Sequence, residues 1–81
     1  MLNAQEKSRL IWSCRRGMLE LDLILNSFLE KGLNLLNESQ LNQFKFLLTA
    51  TDPELYGWLM GHEEPYKEEL LEIVTLIRTN S

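Results

Sequence analysis

The pattern of this chain is set by Arg15-Arg16-Gly17-Met18-Leu19-Glu20-Leu21-Asp22, where two arginines and a glycine stand at the start of a strongly apolar helical run. Arginine in a first helical turn faces the positive end of the helix dipole, and glycine inside a helix costs about 1 kcal/mol relative to alanine. Arg16 and Glu20 would share one helix face. Two interpretations follow: an exposed Arg16–Glu20 ion pair beside a glycine that lets two helices join at a sharp angle, or a docking surface.

Outward from this stretch, helical signals recur and strand signals are nearly absent. Apolar residues repeat at helical spacing within each segment, and the linkers are short, which is typical of helix bundles. We therefore expect an all-α fold, a compact five-helix bundle that forms a single domain over residues 1–81. The predicted helices cover residues 4–14, 16–31, 38–50, the segment from Asp52-Pro53 to Met60, and the segment that Pro65 opens.

Capping signals mark most of the helix ends. Asn3 and Asn37 stand where N-caps are expected, and Asp52 is expected to cap a helix that carries Pro53 in its first turn. Gly32 is expected to end the second helix as its C-terminal cap. Local chemistry thus predicts where helices begin as well as their number.

Charge and composition argue against several classes of function. The 81 residues carry a formal net charge of −4, with a pI near 4.9, whereas proteins that bind the phosphate backbone usually present a concentrated basic surface. We therefore expect no nucleic-acid partner. Apolar residues make up 44% of the chain and charged residues 25%, proportions typical of globular proteins rather than disordered tails.

The sequence also predicts a cellular compartment. Cys14 is the only cysteine, so an intrachain disulfide cannot form and a cysteine-based zinc site lacks ligands. No run reaches the about 20 apolar residues that span a bilayer, and residues 1–9 lack the apolar core of a signal peptide. We expect a bacterial cytoplasmic protein with no direct membrane insertion and no metal site.

Residues suited to catalysis are scarce. His62 has no second histidine one helical turn away and is expected in a loop, and no serine or cysteine has a recognisable base partner in the sequence. Trp58 is expected in the core, because large aromatic residues of small bundles are usually structural. We predict no catalytic residue and no enzyme activity.

The side of the second helix that carries Arg16 and Glu20 also carries Leu19 and Leu23. Helix one or the terminal helix could cover these leucines, which is the commoner outcome in short bundles. Alternatively Leu19, with Met18 at the bundle edge, adds apolar contact to a charged interface. The sequence leaves both alternatives open.

Basic residues gather near the beginning of this acidic chain, where Arg9, Arg15 and Arg16 accompany Trp12. Arginines at the end of helix one would neutralise its dipole, which suits Arg15 better than Arg9. Alternatively, because arginine favours planar, bidentate contacts with carboxylates, Arg9 and Arg16 are candidates for partner specificity. Gly17 would then permit close approach of a partner backbone.

The motif Arg16-Gly17-x-x-Glu20, with Asp22 two residues on, resembles the signature of the SdhE-type flavinylation factors. Trp12-Ser13-Cys14-Arg15 precedes it, and Asp52-Pro53-Glu54-Leu55-Tyr56-Gly57-Trp58-Leu59-Met60 resembles the second signature of that family, an Asp-Pro helix start followed by an aromatic residue. The resemblance extends over residues 9–77, and the order and spacing of the motifs agree with the chain length.

This resemblance implies an assembly chaperone that binds the flavoprotein subunit of succinate dehydrogenase, with that of fumarate reductase as a second candidate partner. The chaperone would promote covalent attachment of FAD to a histidine of that subunit. Direct FAD binding by this chain is not indicated, so we expect no cofactor. An unrelated helical adaptor and a small nucleic-acid binder using Arg15-Arg16 are the competing classes, and only the latter should lose affinity steeply with salt.

Partner contacts are carried over from the family motif to Arg16, Gly17 and Glu20, with Asp22 as the common extension. Asp22 lies well around the helix from Glu20, so it is expected to stabilise the fold instead of contacting the partner. The predicted partner-binding residues are Arg9, Arg15, Arg16, Gly17, Met18, Glu20 and Asp22.

Overall fold

A computed structural model describes residues 3–80, and this part of the chain forms five α-helices and no strand. The prediction of an all-α, compact five-helix bundle is therefore confirmed, with a Cα radius of gyration of 11.5 Å. Two 3₁₀ turns, Leu33–Leu35 and Glu68–Leu70, precede the third and fifth helices. The helices are α1 (Ala4–Ser13), α2 (Leu19–Lys31), α3 (Glu38–Leu47), α4 (Asp52–Leu59) and α5 (Leu71–Thr79).

The core is built from the apolar faces of all five helices. The rings of Phe28 in α2 and Phe44 in α3 meet edge to face, with centroids 5.4 Å apart, an arrangement worth about 0.5–1.5 kcal/mol beyond burial alone. Trp58 is buried among them, as predicted. Leu10 is the buried residue that α1 contributes, and Cys14 directly follows that helix. Helix α1 is therefore anchored mainly at its C-terminal end.

Local capping chemistry explains why several helices begin where they do. The side chain of Asn3 accepts a hydrogen bond from the backbone N–H of Glu6 at 2.8 Å. Asn37 and Gln40 form a reciprocal capping box at the start of α3, which satisfies two backbone N–H groups that the helix leaves free. Both predicted caps are confirmed.

Gly32 is the C-cap of α2, as predicted, and packing explains why this position requires glycine. Its φ of −119° is open to any residue, so the position does not depend on a left-handed backbone. A Cβ at Gly32 would instead lie 2.7 Å from Cδ1 of Phe28. The absent side chain makes room for a buried aromatic ring.

The predicted cap of α4 was one residue too late. Thr51 is the N-cap and forms a capping box with Glu54, so Asp52 is the first helical residue and Pro53 follows it. Because the side chains of Thr51 and Glu54 accept hydrogen bonds from backbone N–H groups at this helix start, the carboxylate of Asp52 can bind another segment.

The predicted start of the last helix at Pro65 was also wrong. Pro65 is buried in the preceding loop, and the ring of the next residue, Tyr66, lies 5.7 Å from that of Trp58. These tertiary contacts hold the loop away from helical geometry, and α5 begins only at Leu71. Residues 48–50 likewise leave helical geometry earlier than predicted, since α3 ends at Leu47.

Candidate partner-docking surface

The connection between α1 and α2 turns sharply at Gly17. Its φ of +81° lies in the left-handed region, which glycine adopts without the steric penalty that a Cβ would bring. Helix α1 has ended at Ser13, and α2 begins at Leu19 with Met18 as its N-cap. Gly17 therefore permits a corner between two helices, as one sequence interpretation proposed, but it lies outside both of them.

The expected conflict between arginine and the helix dipole does not arise. The predicted second helix began at Arg16, whereas Arg15 and Arg16 lie in the connection before α2. The first turn of α2 contains Glu20 and Asp22 instead, and acidic residues are favoured there. The left-handed Gly17 explains the error, because a helix cannot run through it.

Arg16 is directed into the fold and not toward Glu20. Its Nε donates to Oδ1 of Asp52 at 2.8 Å, and this is the salt bridge of Arg16 within the described residues. Its other guanidinium nitrogens donate to the carbonyls of Leu48 at 2.9 Å and Ala50 at 2.6 Å. The proposed Arg16–Glu20 ion pair is therefore wrong, because the guanidinium already binds acceptors between α3 and α4.

Asp22 and Met18 hold the same corner from the side of α2. Oδ1 of Asp22 accepts a hydrogen bond from the backbone N–H of Arg16 at 2.8 Å, which supports the stabilising role expected of Asp22, while its part in partner binding stays a prediction. Met18 is half-buried and packs against the core. Neither side chain projects freely from the corner.

The leucines whose burial the sequence left open are exposed. Leu19 is 68% exposed and Leu23 is 62% exposed, so neither helix one nor the terminal helix covers them. Glu20 and Gly17 are exposed beside them, and a Cβ at Gly17 would meet no atom within 4 Å. The interpretation in which helix one or the terminal helix covers the leucines is therefore wrong.

Trp12 at the end of α1 and Arg15 just after it are also exposed, on the other side of Gly17 along the chain. Trp12 is 69% exposed, and the guanidinium carbon of Arg15 lies 5.0 Å from the centroid of its ring, within the range of a cation–π contact. Aromatic residues and arginine are enriched in protein interfaces. We define the corner surface as Trp12, Arg15, Gly17, Leu19, Glu20 and Leu23.

Arg9 is exposed one turn before Trp12 and lines a shallow groove between α1 and α3. Lys45 lines the same groove and forms an ion pair with Glu6 across it, with N and O 3.7 Å apart. Arg9 therefore lies beside the corner surface on the side that faces α3. The partner-binding role of the seven predicted residues stays a prediction, although Arg16, Met18 and Asp22 are mainly structural in the folded chain.

Cys14 lies directly beneath the corner and is fully buried. Burial disfavours the thiolate and raises the pKa of Cys14 to about 12, with Arg16 opposing the rise and Asp22 adding to it. The thiol therefore stays protonated and unreactive at neutral pH. Residues 3–80 contain no group of three or more His, Cys, Asp or Glu side chains that could hold a metal ion.

Sequence reasoning missed Asp52 as the partner of Arg16. The two residues are 36 positions apart, and no local pattern connects them. The only signal in the sequence was that both belong to the stretches that carry the family resemblance. In addition, no helix within the described part of the chain is long and apolar enough to span a membrane.

Fold and surface together define a small helical protein whose distinguishing feature is an exposed corner, where apolar side chains border arginine and glutamate. The family described as flavinators of succinate dehydrogenase matches residues 8–81 of this chain. The chain belongs to this family, and the resemblance seen in the sequence motifs is confirmed.

Individual relatives agree with this assignment. A FAD assembly factor SdhE of Legionella pneumophila (strain Lens) is 61% identical over 77 residues, which cover 95% of this chain and 96% of the relative. The FAD assembly factor SdhE of Pectobacterium atrosepticum is 42% identical over 80 residues, 99% of this chain and 91% of the relative. A solution structure described as a UPF0350 protein matches with a TM-score of 0.81 and 40% identity, over 98% of this chain and 84% of that one.

Proposed function

We propose that this protein is an assembly factor that binds the flavoprotein subunit of succinate dehydrogenase through the corner surface and promotes covalent attachment of FAD to that subunit. Family membership supports the activity. The observation that carries the choice of surface is the exposure of Leu19 and Leu23 directly beside the family motif. Exposed apolar side chains rimmed by charge are characteristic of sites that bind proteins.

The proposed mechanism is non-enzymatic. The flavin and the active site of the flavoprotein would supply the reactivity, while this chain would stabilise a conformation in which FAD and the accepting histidine meet in reactive geometry. Such a factor acts by binding that conformation more tightly than the others, which shifts the population of the flavoprotein toward it. The buried, protonated Cys14 is consistent with a chain that offers no thiolate nucleophile.

Three finer elements belong to this proposal. The flavoprotein subunit of fumarate reductase is a second candidate partner, because a factor that recognises domain arrangement would accept a subunit built in the same way. Both partners would be met in the bacterial cytoplasm. Nucleic acid is not proposed, since the formal charge of −4 opposes binding to a polyanion.

The test is covalent flavin fluorescence of the flavoprotein subunit in denaturing gels, from cells with and without this gene. Two leucines of equal exposure, 68% each, give a matched pair of variants: Leu19→Gln within the corner surface and Leu35→Gln in the 3₁₀ turn that follows α2. Loss of an apolar anchor worth about 1.5 kcal/mol weakens binding about tenfold. We expect a weaker flavin band for Leu19→Gln and a normal band for Leu35→Gln.

The same experiment can contradict the proposal at two levels. An unchanged band in cells lacking the gene would remove the assembly role and favour an unrelated helical adaptor. A normal band with Leu19→Gln, combined with a weak band with Leu35→Gln, would keep the activity and move the docking surface away from the corner.

A further inference from the structure

We propose that Asp52, which lies outside the docking motif, is a positioning residue for the corner surface. It acts through Arg16, which it holds together with the carbonyls of Leu48 and Ala50. This inference deepens the proposed function and rests on it for its consequence in docking. The structural part of the inference, that Asp52 holds Arg16 in place, can be tested in the isolated chain.

The contacts of Arg16 converge on it from three parts of the fold. Ser13 at the end of α1 accepts from Nη1 at 3.3 Å, and Leu48 just after α3 accepts from the same nitrogen at 2.9 Å. Asp52, the first residue of α4, accepts from Nε at 2.8 Å. One side chain thus ties the corner to the junction of two other helices.

Burial and charge make this arrangement strong. The side chain of Arg16 is only 17% exposed and that of Asp52 is 36% exposed, so solvent screens the pair less than it would a surface ion pair. Hydrogen bonds between ionised partners are about twice as strong as neutral ones. In addition, the carbonyl of Leu48 lies at the negative end of the α3 dipole, where a guanidinium is favoured.

Asp52 is available for this role because its neighbours perform the capping. Thr51 and Glu54 form the capping box of α4, and the carboxylate of Asp52 is left to bind Arg16. An asparagine at this position would keep an acceptor oxygen but lose the negative charge. The charge of Asp52 is therefore the feature that a conservative substitution can test.

The consequence for docking follows from the backbone of Arg16. Its N–H donates to Asp22 while its side chain is held by Asp52, so both ends of the residue are fixed immediately before the left-handed Gly17. Without Asp52, the connection would sample more conformations, and a partner would have to order it on binding. Ordering flexible segments at an interface weakens affinity.

If Arg16 contacted the partner directly, substitution of Asp52 would have a different effect on docking. To form a bidentate contact with a partner carboxylate, its guanidinium would have to leave Asp52, Leu48 and Ala50. Removing the charge of Asp52 would then release Arg16 and leave docking unchanged or stronger. The positioning role requires the opposite result, so the two roles are separable by one substitution.

The experiment measures the Kd for the purified flavoprotein subunit and amide hydrogen exchange in the isolated chain. The variants are Asp52→Asn, Arg16→Lys and the double variant. We expect each single variant to raise Kd about tenfold, an effect of the size expected for a weakened charge-assisted hydrogen bond. The Kd of the double variant should be no higher than that of the weaker-binding single variant, because both substitutions remove the same interaction. Exchange of the Arg16 amide should accelerate about tenfold as well.

Arg78→Lys is the matched control. Arg78 also binds backbone carbonyls at a helix end, those of Trp58 in α4 and Glu63 in the following loop, but neither these bonds nor its ion pair with Glu64 involves a residue of the corner surface. This variant should lose stability to a similar extent and leave both Kd and the exchange of the Arg16 amide unchanged. If Arg78→Lys raised Kd as much as Asp52→Asn does, Asp52 would be only a general stabilising residue and its positioning role would be overturned.

Other outcomes are equally decisive. Normal docking and normal amide exchange in Asp52→Asn, alongside lost docking in Gly17→Arg, would overturn the inference while leaving the proposed function intact. Additive effects in the double variant would show that Arg16 and Asp52 act separately. If the wild-type chain did not bind the flavoprotein subunit, the proposed function would fail, and the exchange measurement would still decide whether Asp52 holds the corner.

Discussion

Substitution of Gly17 should separate backbone strain from partner docking. At φ +81°, with nothing within 4 Å of an added Cβ, alanine at this position meets strain but no clash. Left-handed geometry costs an L-residue about 1–2 kcal/mol, and the lower entropy of the unfolded alanine chain offsets about 0.4–1 kcal/mol of it. We expect Gly17→Ala to lower the free energy of unfolding by about 1 kcal/mol, which lowers Tm by about 4–8 °C in a domain of this size.

The assay is thermal unfolding by circular dichroism, paired with the flavinylation measurement. Gly61 provides the matched control, because its φ is +82° and an added Cβ there also meets nothing within 4 Å. Gly61→Ala should lower Tm as much as Gly17→Ala does but leave flavinylation unchanged. Gly17→Arg should show the Tm of Gly17→Ala and lose flavinylation, because its long side chain projects from the surface that a partner must approach.

Two results would refute this reasoning. An unchanged Tm for both alanine variants would mean that the left-handed backbone relaxes at negligible cost. Undiminished flavinylation by a folded Gly17→Arg variant would mean that the partner does not approach Gly17 closely, and the corner would no longer be the docking surface.

Two further predictions concern the core. Gly32→Ala should lower the free energy of unfolding by about 1–3 kcal/mol in urea titrations, because its Cβ would overlap the buried ring of Phe28; an unchanged midpoint would show that the ring has room to move. Burial raises the pKa of Cys14 from about 9 to about 12, so above pH 9 the unfolded chain releases the thiol proton while the folded chain keeps it. The free energy of unfolding should therefore fall as pH rises from about 9 toward 12, and more steeply in wild type than in Cys14→Ala; parallel pH profiles would contradict the raised pKa.

Local physics accounts for most of the secondary structure. Asn37 precedes an apolar pattern of period 3.6, and α3 begins there because its side chain satisfies N–H groups that any helix start leaves free. The core position of Trp58 followed from its size in so small a bundle. These properties depend on a residue and its near neighbours, which is why they could be predicted without the fold.

The helix boundaries at the corner required the tertiary structure. The sequence pattern placed Gly17 inside the predicted helix 16–31 or at a bend between two helices, and its left-handed backbone excludes the first. Pro65 is an acceptable first helical residue, yet burial of its ring and contact between Tyr66 and Trp58 keep this segment out of α5. At Pro65, packing against another segment outweighed a local helical preference.

The sequence by itself determined that this chain is helical, that Asn3 and Asn37 cap two of its helices, and to which family its motifs belong. Only the tertiary structure decided that Arg16 binds Asp52 from 36 positions away, and that Leu19 and Leu23 remain uncovered. The physical reason is that hydrogen-bond partners and solvent exposure depend on which elements come together in space. Helical periodicity defines the faces of a helix but does not determine what lies against them.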